Sequence, residues 1–334
     1  MELSVVVTAY NGEKYIQEQL DSILNQTQVP DEVIVLDDGS TDETIDILSE
    51  YKKNHPSVFD IEINDENLGV TKNFEQGIRV SNGDAIFLCD QDDVWHPKKI
   101  ERQASALLNN KGLLSFHDSL VVDESLSPVD THWNMISYSD TNQTARSNFS
   151  QLTTRNFVNG CTMLIDSSLR EYILPIPHEW MYDWYIALIS ALISKLIPVD
   201  ETLHKYRHHK DQVSGQHPKS IITKLQRGFQ LNATAKQHQQ NAVTWKKLEE
   251  KLNQLPSSNL QVEKSFAQDL IFQRYQYEQN RATIHDRSAK LSRKFKSMLN
   301  NVSNGYYSTY GSVHPVFYAF KDMFLLFQTR FSNS

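Results

Sequence analysis

The apolar run Ala85-Ile86-Phe87-Leu88-Cys89 ends in Asp90-Gln91-Asp92-Asp93-Val94-Trp95, with three carboxylates in four residues. Like charges at that spacing repel and raise one another's pKa, so a divalent cation with a preference for hard oxygen is the natural partner. The competing use is capping, with Asp92 or Asp93 starting the helix that His96-Pro97-Lys98-Lys99-Ile100 suggests. A second pair, Asp37-Asp38, follows Glu32-Val33-Ile34-Val35-Leu36 and precedes Gly39-Ser40-Thr41-Asp42, so carboxylates recur at a comparable place. A further acid, Asp183, stands between Tyr182 and Trp184 at the head of the apolar run Tyr185-Ile186-Ala187-Leu188. Flanking rings exclude water, raise the carboxyl pKa and suit it to accept a proton near neutral pH, although the same place also suits a helix N-cap.

Strands must position these groups. Leu3-Ser4-Val5-Val6-Val7-Thr8-Ala9 is the first of three apolar segments, with Glu32 to Leu36 and Ala85 to Cys89, that end in polar residues and lead into a helical pattern. That alternation predicts an α/β fold with a mostly parallel central sheet flanked by helices, and ligands gathered at the carboxyl ends of its strands. From Lys219 to Asn300 the pattern changes to long polar helices rich in Gln, Lys and Glu. Apolar stripes at Ile222, Leu225 and Phe229 and at Val243, Leu248 and Leu252 have helical spacing; Pro256-Ser257-Ser258-Asn259 supplies a break, and another helix is expected from Leu260 to His285. The expected organisation is a sheet domain over 1–217, a helical extension over 218–300 that packs inward or mediates self-association, and an aromatic, apolar tail over 301–334.

Four motifs in order, Val5-Val6-Val7-Thr8-Ala9-Tyr10-Asn11, Asp37-Asp38-Gly39-Ser40-Thr41-Asp42, Asn67-Leu68-Gly69-Val70 and Asp90-Gln91-Asp92-Asp93-Val94-Trp95, resemble family 2 glycosyltransferases of the GT-A, Rossmann-like fold. The resemblance continues through Phe157-Val158-Asn159-Gly160-Cys161-Thr162 and Met181-Tyr182-Asp183-Trp184-Tyr185 to Tyr206-Arg207-His208-His209, about the first 215 residues. It implies an inverting, metal-dependent transfer of one sugar from a nucleoside diphosphate to a hydroxyl of a glycan or lipid-linked acceptor. Asp183 takes the place of the catalytic base, and Glu179 is the substitute candidate. Asp92, Asp93 and His209 take the metal side, with Mn2+ or Mg2+ bridging the diphosphate and Asp90 near the ribose or sharing in coordination. Thr8, Tyr10, Asn11, Asp38, Asn67, Lys72 and Asn73 take nucleotide and diphosphate contacts, and Asn159 and Gly160 lie on the sugar side. The Asp-Gln-Asp-Asp-Val-Trp form most resembles bacterial rhamnosyltransferases of surface polysaccharide synthesis, which makes dTDP-L-rhamnose the first donor and a UDP-hexose or UDP-N-acetylhexosamine the second. Tyr182 departs from the His that often precedes the family's Asp-Trp, a change expected to alter the donor or acceptor pocket.

Other classes fare less well. A nucleotidyltransferase wants a basic glycine-rich loop after the first strand, which Thr8-Ala9-Tyr10-Asn11-Gly12 does not supply. An idle nucleotide-sugar-binding scaffold would have lost the acids that are present here. A net charge of -8 argues against nucleic acid. Two cysteines in apolar runs, Cys89 and Cys161, exclude a disulfide framework and fit packing roles in a reduced, cytoplasmic setting. No apolar run reaches membrane-spanning length, and no signal-type segment follows Met1. From Arg287 onward seven cations face one acid, and the basic portion, Arg287 to Lys296, is followed by Tyr306, Tyr307 and Tyr310 and by the aromatic runs at 316–320 and 323–327. This tail is expected either to lie on the inner membrane face or to dock on protein.

Overall fold

A computed structural model of the chain describes residues 1–139, 144–210, 235–311, 319 and 322–323. Strand β1 (Leu3–Ala9) is buried along its whole length, as its unbroken Val and Leu content requires of a central strand. It pairs in parallel with β2 (Glu32–Asp37) and β4 (Ala85–Asp90), and β2 pairs in parallel with β3 (Phe59–Ile63). Helices α1 (Ile16–Leu24), α2 (Thr44–Asn54) and α3 (Val70–Val80) make the crossovers. One core face collects Val5, Val7, Val33, Val35 and Phe87 from the strands with Ile16, Leu20 and Leu48 from the helices.

Beyond β4 the sheet is mixed, in the order β3-β2-β1-β4-β8-β6-β9-β5. Here β5 is Val94–Trp95, β6 is Leu114–Val122, β8 is Leu164–Asp166 and β9 is Leu196–Arg207, while β7 (Pro128–Thr131) pairs with β6. β8 runs antiparallel to both β4 and β6, β9 runs parallel to β6, and β5 runs antiparallel to β9. The parallel pairing expected from the three apolar segments forms the first half of the sheet; strands of two and three residues in the second half are too short to register as a pattern. Helix α4 (Lys99–Asn110) follows β5, α5 (His132–Ile136) follows β7, and α6 (Ala145–Thr154) and α7 (Arg170–Ile173) lie on either side of β8 in the chain. The N-cap position of α4 is Lys98, whose side chain makes no capping hydrogen bond, and not Asp92 or Asp93. Helix α8 (Tyr182–Ile193) buries nearly every side chain, as a helix apolar on all faces must.

The described residues of 1–152, 156–215 and 260–262 form one compact unit, and those of 153–155, 216–259 and 263–334 form a second. The second contains α9 (Ala235–Gln254), α10 (Lys264–His285), α11 (Leu291–Ser303) and α12 (Tyr306–Tyr310). In α9 the buried stripe is His238, Ala242, Trp245, Leu248 and Leu252, whereas Val243, expected inside, is half exposed because it lies about 140° around the helix from Leu248. The stripe Ile222, Leu225 and Phe229 lies outside the described residues. Inside α10, Glu278 holds His238 and Arg274. Tyr306, Tyr307 and Tyr310 pack around Tyr277, and Arg281 and Tyr307 both bond the buried Asp322. No helix among the described residues is long and apolar enough to cross a membrane.

Candidate active site

The carboxyl ends of β1, β2 and β4 open into a cleft of about 670 Å³, closed by the segment at 156–159, the start of α8 and the end of β9. Thr8, Tyr10, Asp38, Asn67, Asn73, Asp90, Asp92, Asn159, Asp183 and His209 line it. Among the other expected site residues, Asn11, Lys72, Asp93 and Gly160 stand behind or beside the wall. Asn11 adopts φ +48°, a left-handed conformation asparagine tolerates, and its Oδ1 accepts the Thr41 amide at 2.8 Å. It fastens the loop after β1 to the loop after β2. Lys72 Nζ lies 2.9 Å from Glu75 on the surface of α3. Gly160 leaves room for Tyr182: a Cβ built there would meet the Tyr182 hydroxyl at 1.9 Å.

Asp38 is held by its surroundings. Its carboxylate accepts the backbone amides of Leu68 at 2.7 Å and Gly69 at 2.9 Å and the Asn64 side chain at 3.1 Å. Burial raises its pKa, but Asn73 and these donors outweigh that and hold it below the ordinary value. Its neighbour Asp37 serves the turn, accepting the Gly39 and Ser40 amides. Tyr10, half exposed, lines the cleft wall.

The acidic motif divides its side chains between two sides of the wall. Asp92 Oδ2 lies 2.8 Å from His209 Nε2 in the cleft, and the His209 ring packs on Tyr15 at 4.8 Å between centroids. Asp90 faces the cleft and accepts the Cys161 thiol at 2.7 Å. Asp93 is fully buried; its Oδ1 accepts the Arg207 amide at 3.1 Å, and its Oδ2 lies 3.4 Å from His204 Nε2 without a hydrogen-bond partner. Donor atoms of Asp90, Asp93 and Cys161 lie within 4.8 Å of one another. Burial, then the neighbouring carboxylates with Asp92 foremost, pushes both Asp90 and Asp93 well above the ordinary carboxylate range. Buried carboxylates that repel one another, one with an orphaned oxygen, fit a hard divalent cation. Cys161 does not fit as a ligand for such an ion, because burial keeps its thiol protonated and its hydrogen is already given to Asp90.

Asp183 stands in the first turn of α8, after the N-cap Met181, so it does not cap the helix. Its Oδ1 accepts the Trp184 amide at 2.6 Å and its Oδ2 accepts Asn156 Nδ2 at 3.0 Å. Burial pushes its carboxyl up to about 6, against the opposing pull of the Trp184 and Gly160 amides and Asn156. A carboxylate so poised is a proton acceptor near neutral pH. Tyr182 beside it stacks on Phe74 at 4.0 Å and also lines the cleft, so the aromatic that stands where histidine is often found is part of the pocket wall. The substitute candidate Glu179 does not line the cleft.

Several residues at this site have roles that the motifs do not assign. Gln91 bonds both the Tyr10 amide (2.8 Å) and the Tyr10 carbonyl (3.0 Å), tying the acidic loop to the loop after β1, and Gly12 leaves the space it fills. Asn156 lies one residue before the Phe157-Val158-Asn159 motif that would have drawn attention to it. Lys99 is buried beneath, its Nζ 2.5 Å from the Cys161 carbonyl and 3.9 Å from the Trp95 ring centre, and burial lowers its pKa to about 8. Arg207 gives Nε to the Asp92 carbonyl (2.9 Å) and Nη1 to the Glu124 carbonyl (3.0 Å), pairs with Glu18 and covers the Tyr15 ring. His132 also lines the cleft, from α5; nothing in its sequence context marks it.

Residues 4–173 match the profile described as glycosyl transferase family 2. An uncharacterized protein of Mycobacterium bovis is 30% identical over 217 residues, 62% of this chain and 59% of that protein, so the chain spans about three fifths of its length. A dTDP-rhamnosyl transferase of Shigella flexneri is 37% identical over 108 residues, 31% of this chain and 37% of that protein. The crystal structure of S. aureus TarS 1–349 in complex with UDP-GlcNAc superposes with a TM-score of 0.58 at 17% identity, covering 89% of this chain and 80% of that one. At that identity the likeness speaks for the fold, which is the GT-A fold the motifs imply. With half its length inside the matched profile, which contains β1, β2 and β4 with Asp38, Asp90, Asp92 and Asp93 at their carboxyl ends, the chain belongs to glycosyl transferase family 2.

Proposed function

We propose that the protein transfers one sugar from a nucleoside diphosphate to an acceptor hydroxyl with inversion, in the synthesis of a surface glycan. The observation that carries this reading is the placement of Asp183, poised at about 6, in one cleft with Asp90, Asp92 and His209. In a single displacement the acceptor oxygen forms a bond to the anomeric carbon as the bond to the diphosphate oxygen breaks, and Asp183 Oδ takes the hydroxyl proton. No side chain of the enzyme becomes attached to the sugar. Asp92, His209 and Asp90 would hold Mn2+ or Mg2+ from the cleft, with Asp93 adding its charge from behind; when bound, the ion neutralises the leaving diphosphate. Imidazole favours Mn2+ over Mg2+ in that set.

Asp38, fixed as a carboxylate, is assigned to the imide N–H of a pyrimidine base, with Tyr10, Thr8 and Asn67 beside it. Asn159 is assigned to the sugar side. Asn11 and Gly160 act on this site by position, the first by holding the β1 loop and the second by admitting Tyr182; Lys72 is assigned to the diphosphate if it leaves Glu75. The catalytic domain is assigned to 1–217, the helical extension to 218–300 and the tail to 301–334. The preferred donor is dTDP-L-rhamnose, supported by the acidic motif's form and the Shigella flexneri relative; a UDP-hexose or UDP-N-acetylhexosamine is the alternative. The acceptor is a glycan or lipid-linked oligosaccharide.

The test is thermal stabilisation against a panel of nucleotide sugars with Mn2+, with Mg2+ and with chelator, followed by product analysis for anomeric configuration. Metal-dependent stabilisation by one donor and an inverted product are expected. Retention of configuration, or turnover unaffected by chelator, overturns the corresponding part of the reading.

A further inference from the structure

The tail tyrosines offered to a membrane by the sequence are buried around Tyr277, and the exposed apolar surface lies upstream of them. On α11, Leu291, Phe295, Leu299 and Val302 recur at i, i+4, i+8 and i+11, and are 46%, 50%, 48% and 52% exposed. At about 100° per residue these four form one stripe. The buried positions of α11 are Lys294 and Asn301, the latter accepting Asn280 Nδ2 at 2.8 Å. The helix is therefore inverted relative to an ordinary surface helix, which turns its apolar side inward and its polar side to water. Single exposed apolar residues are commonplace, but four aligned on one helix are not.

Charge identifies what would cover the stripe. Arg287, Lys290, Arg293, Lys294 and Lys296 bring five cations with no acid between residues 287 and 304, in a chain whose net charge is -8. Arg293 and Lys296 are exposed on the turns that carry the stripe. Two copies of this face would set like charges against each other, whereas a bilayer containing anionic lipid offers apolar depth beneath a layer of phosphate. We infer that α11 is a membrane-surface helix, its Leu291-Phe295-Leu299-Val302 stripe seated at the acyl boundary of an anionic bilayer, with Arg293 and Lys296 at the headgroups. The inference is independent of the donor chemistry and goes beyond it, since it concerns where the enzyme works rather than what it transfers.

The experiment is flotation of the full chain with vesicles of phosphatidylcholine alone and of phosphatidylcholine with one third phosphatidylglycerol, at low salt and at 0.5 M NaCl. Binding to the anionic vesicles is expected, weakened about tenfold by salt and absent or weak on the neutral ones. The double substitution Phe295→Asp with Leu299→Asp, at exposed positions and checked for native circular dichroism, is expected to lower the bound fraction at least about tenfold. In a separate variant, Phe295→Trp should give added fluorescence that shifts to the blue on vesicle addition. Equal partition of the double variant and the parent, no binding to anionic vesicles, or an unshifted signal from the introduced indole while the chain floats would each overturn the assignment. A dimer of the parent that the double variant makes monomeric, without vesicle binding by either, would overturn it in favour of a second copy.

Discussion

If Asp183 is the base proposed for it, Asp183 and its partner Asn156 govern how turnover responds to pH. With its carboxyl at about 6, Asp183 accepts a proton only once ionised, so turnover should rise as pH increases through about 6 and level above it. A pH profile of kcat/KM that is flat from 5 to 8 would remove Asp183 from the base role. Asp183→Asn should lower kcat by about 10²–10⁴-fold while leaving donor affinity within a few fold, measured by single-turnover kinetics and by donor titration. Asn156 stabilises the ionised form through its 3.0 Å bond, so Asn156→Ala should move the acid limb of the profile to higher pH. A limb that stays in place or moves to lower pH would show that the bond does not bear on the ionised carboxylate.

At the scale of elements, the cleft depends on how the end of β9 is tied to the turn after β4. Arg207 makes that tie through a planar fork reaching the carbonyls of Asp92 and Glu124 and the carboxylate of Glu18, and a lysine cannot reproduce the fork. Arg207→Lys should weaken Mn2+ binding about 10–100-fold, read by calorimetric titration, because residues behind ligands orient them. Unchanged affinity would mean that Asp92 and His209 hold their places unaided. Gly160 is the corresponding joint between the segment before β8 and the start of α8. Gly160→Ala forces a methyl into the Tyr182 ring and should cost about 1–3 kcal/mol in denaturant unfolding, with a loss of less than about 0.5 kcal/mol showing that the joint yields.

For the whole molecule, the buried acids make stability depend on pH in a direction opposite to most surfaces. Asp90, Asp93 and Asp183 have raised folded-state pKa values, so their contribution is complete at acid pH below the unfolded value and is lost as pH rises through the folded one. His117 and His204, depressed by burial, contribute the other way but are neutral in both states above about pH 6.5, the unperturbed value. Above that point the chelated protein should therefore lose thermal stability as pH rises toward 8, and Mn2+ or Mg2+ should restore it by neutralising Asp90 and Asp93. Melting curves with chelator and with cation check this; an upward or flat trend in the chelated protein, or no gain with cation, would contradict the electrostatic account.

The residue types and their order determined the class of fold, the family and the identity of the acids, since strand-like runs ending in Asp37-Asp38 and Asp90-Gln91-Asp92-Asp93 are local patterns readable without a structure. The division of labour within those patterns was decided by tertiary contact. Asp92 meets His209 across 117 positions of chain while Asp93 faces inward to His204, and one-residue differences in direction follow from the turn between β4 and β5 rather than from residue type. The same reason hid Asn156, Gln91 and Arg207, whose roles exist only through partners distant in sequence, and the mixed half of the sheet, whose short strands form because longer neighbours offer them edges. In the helical unit, periodicity located α9 and α10 but not which side of a helix would be covered. Val243 and the stripe of α11 lie exposed because burial depends on neighbouring elements, and hydrophobic spacing alone identifies a face without saying what it meets.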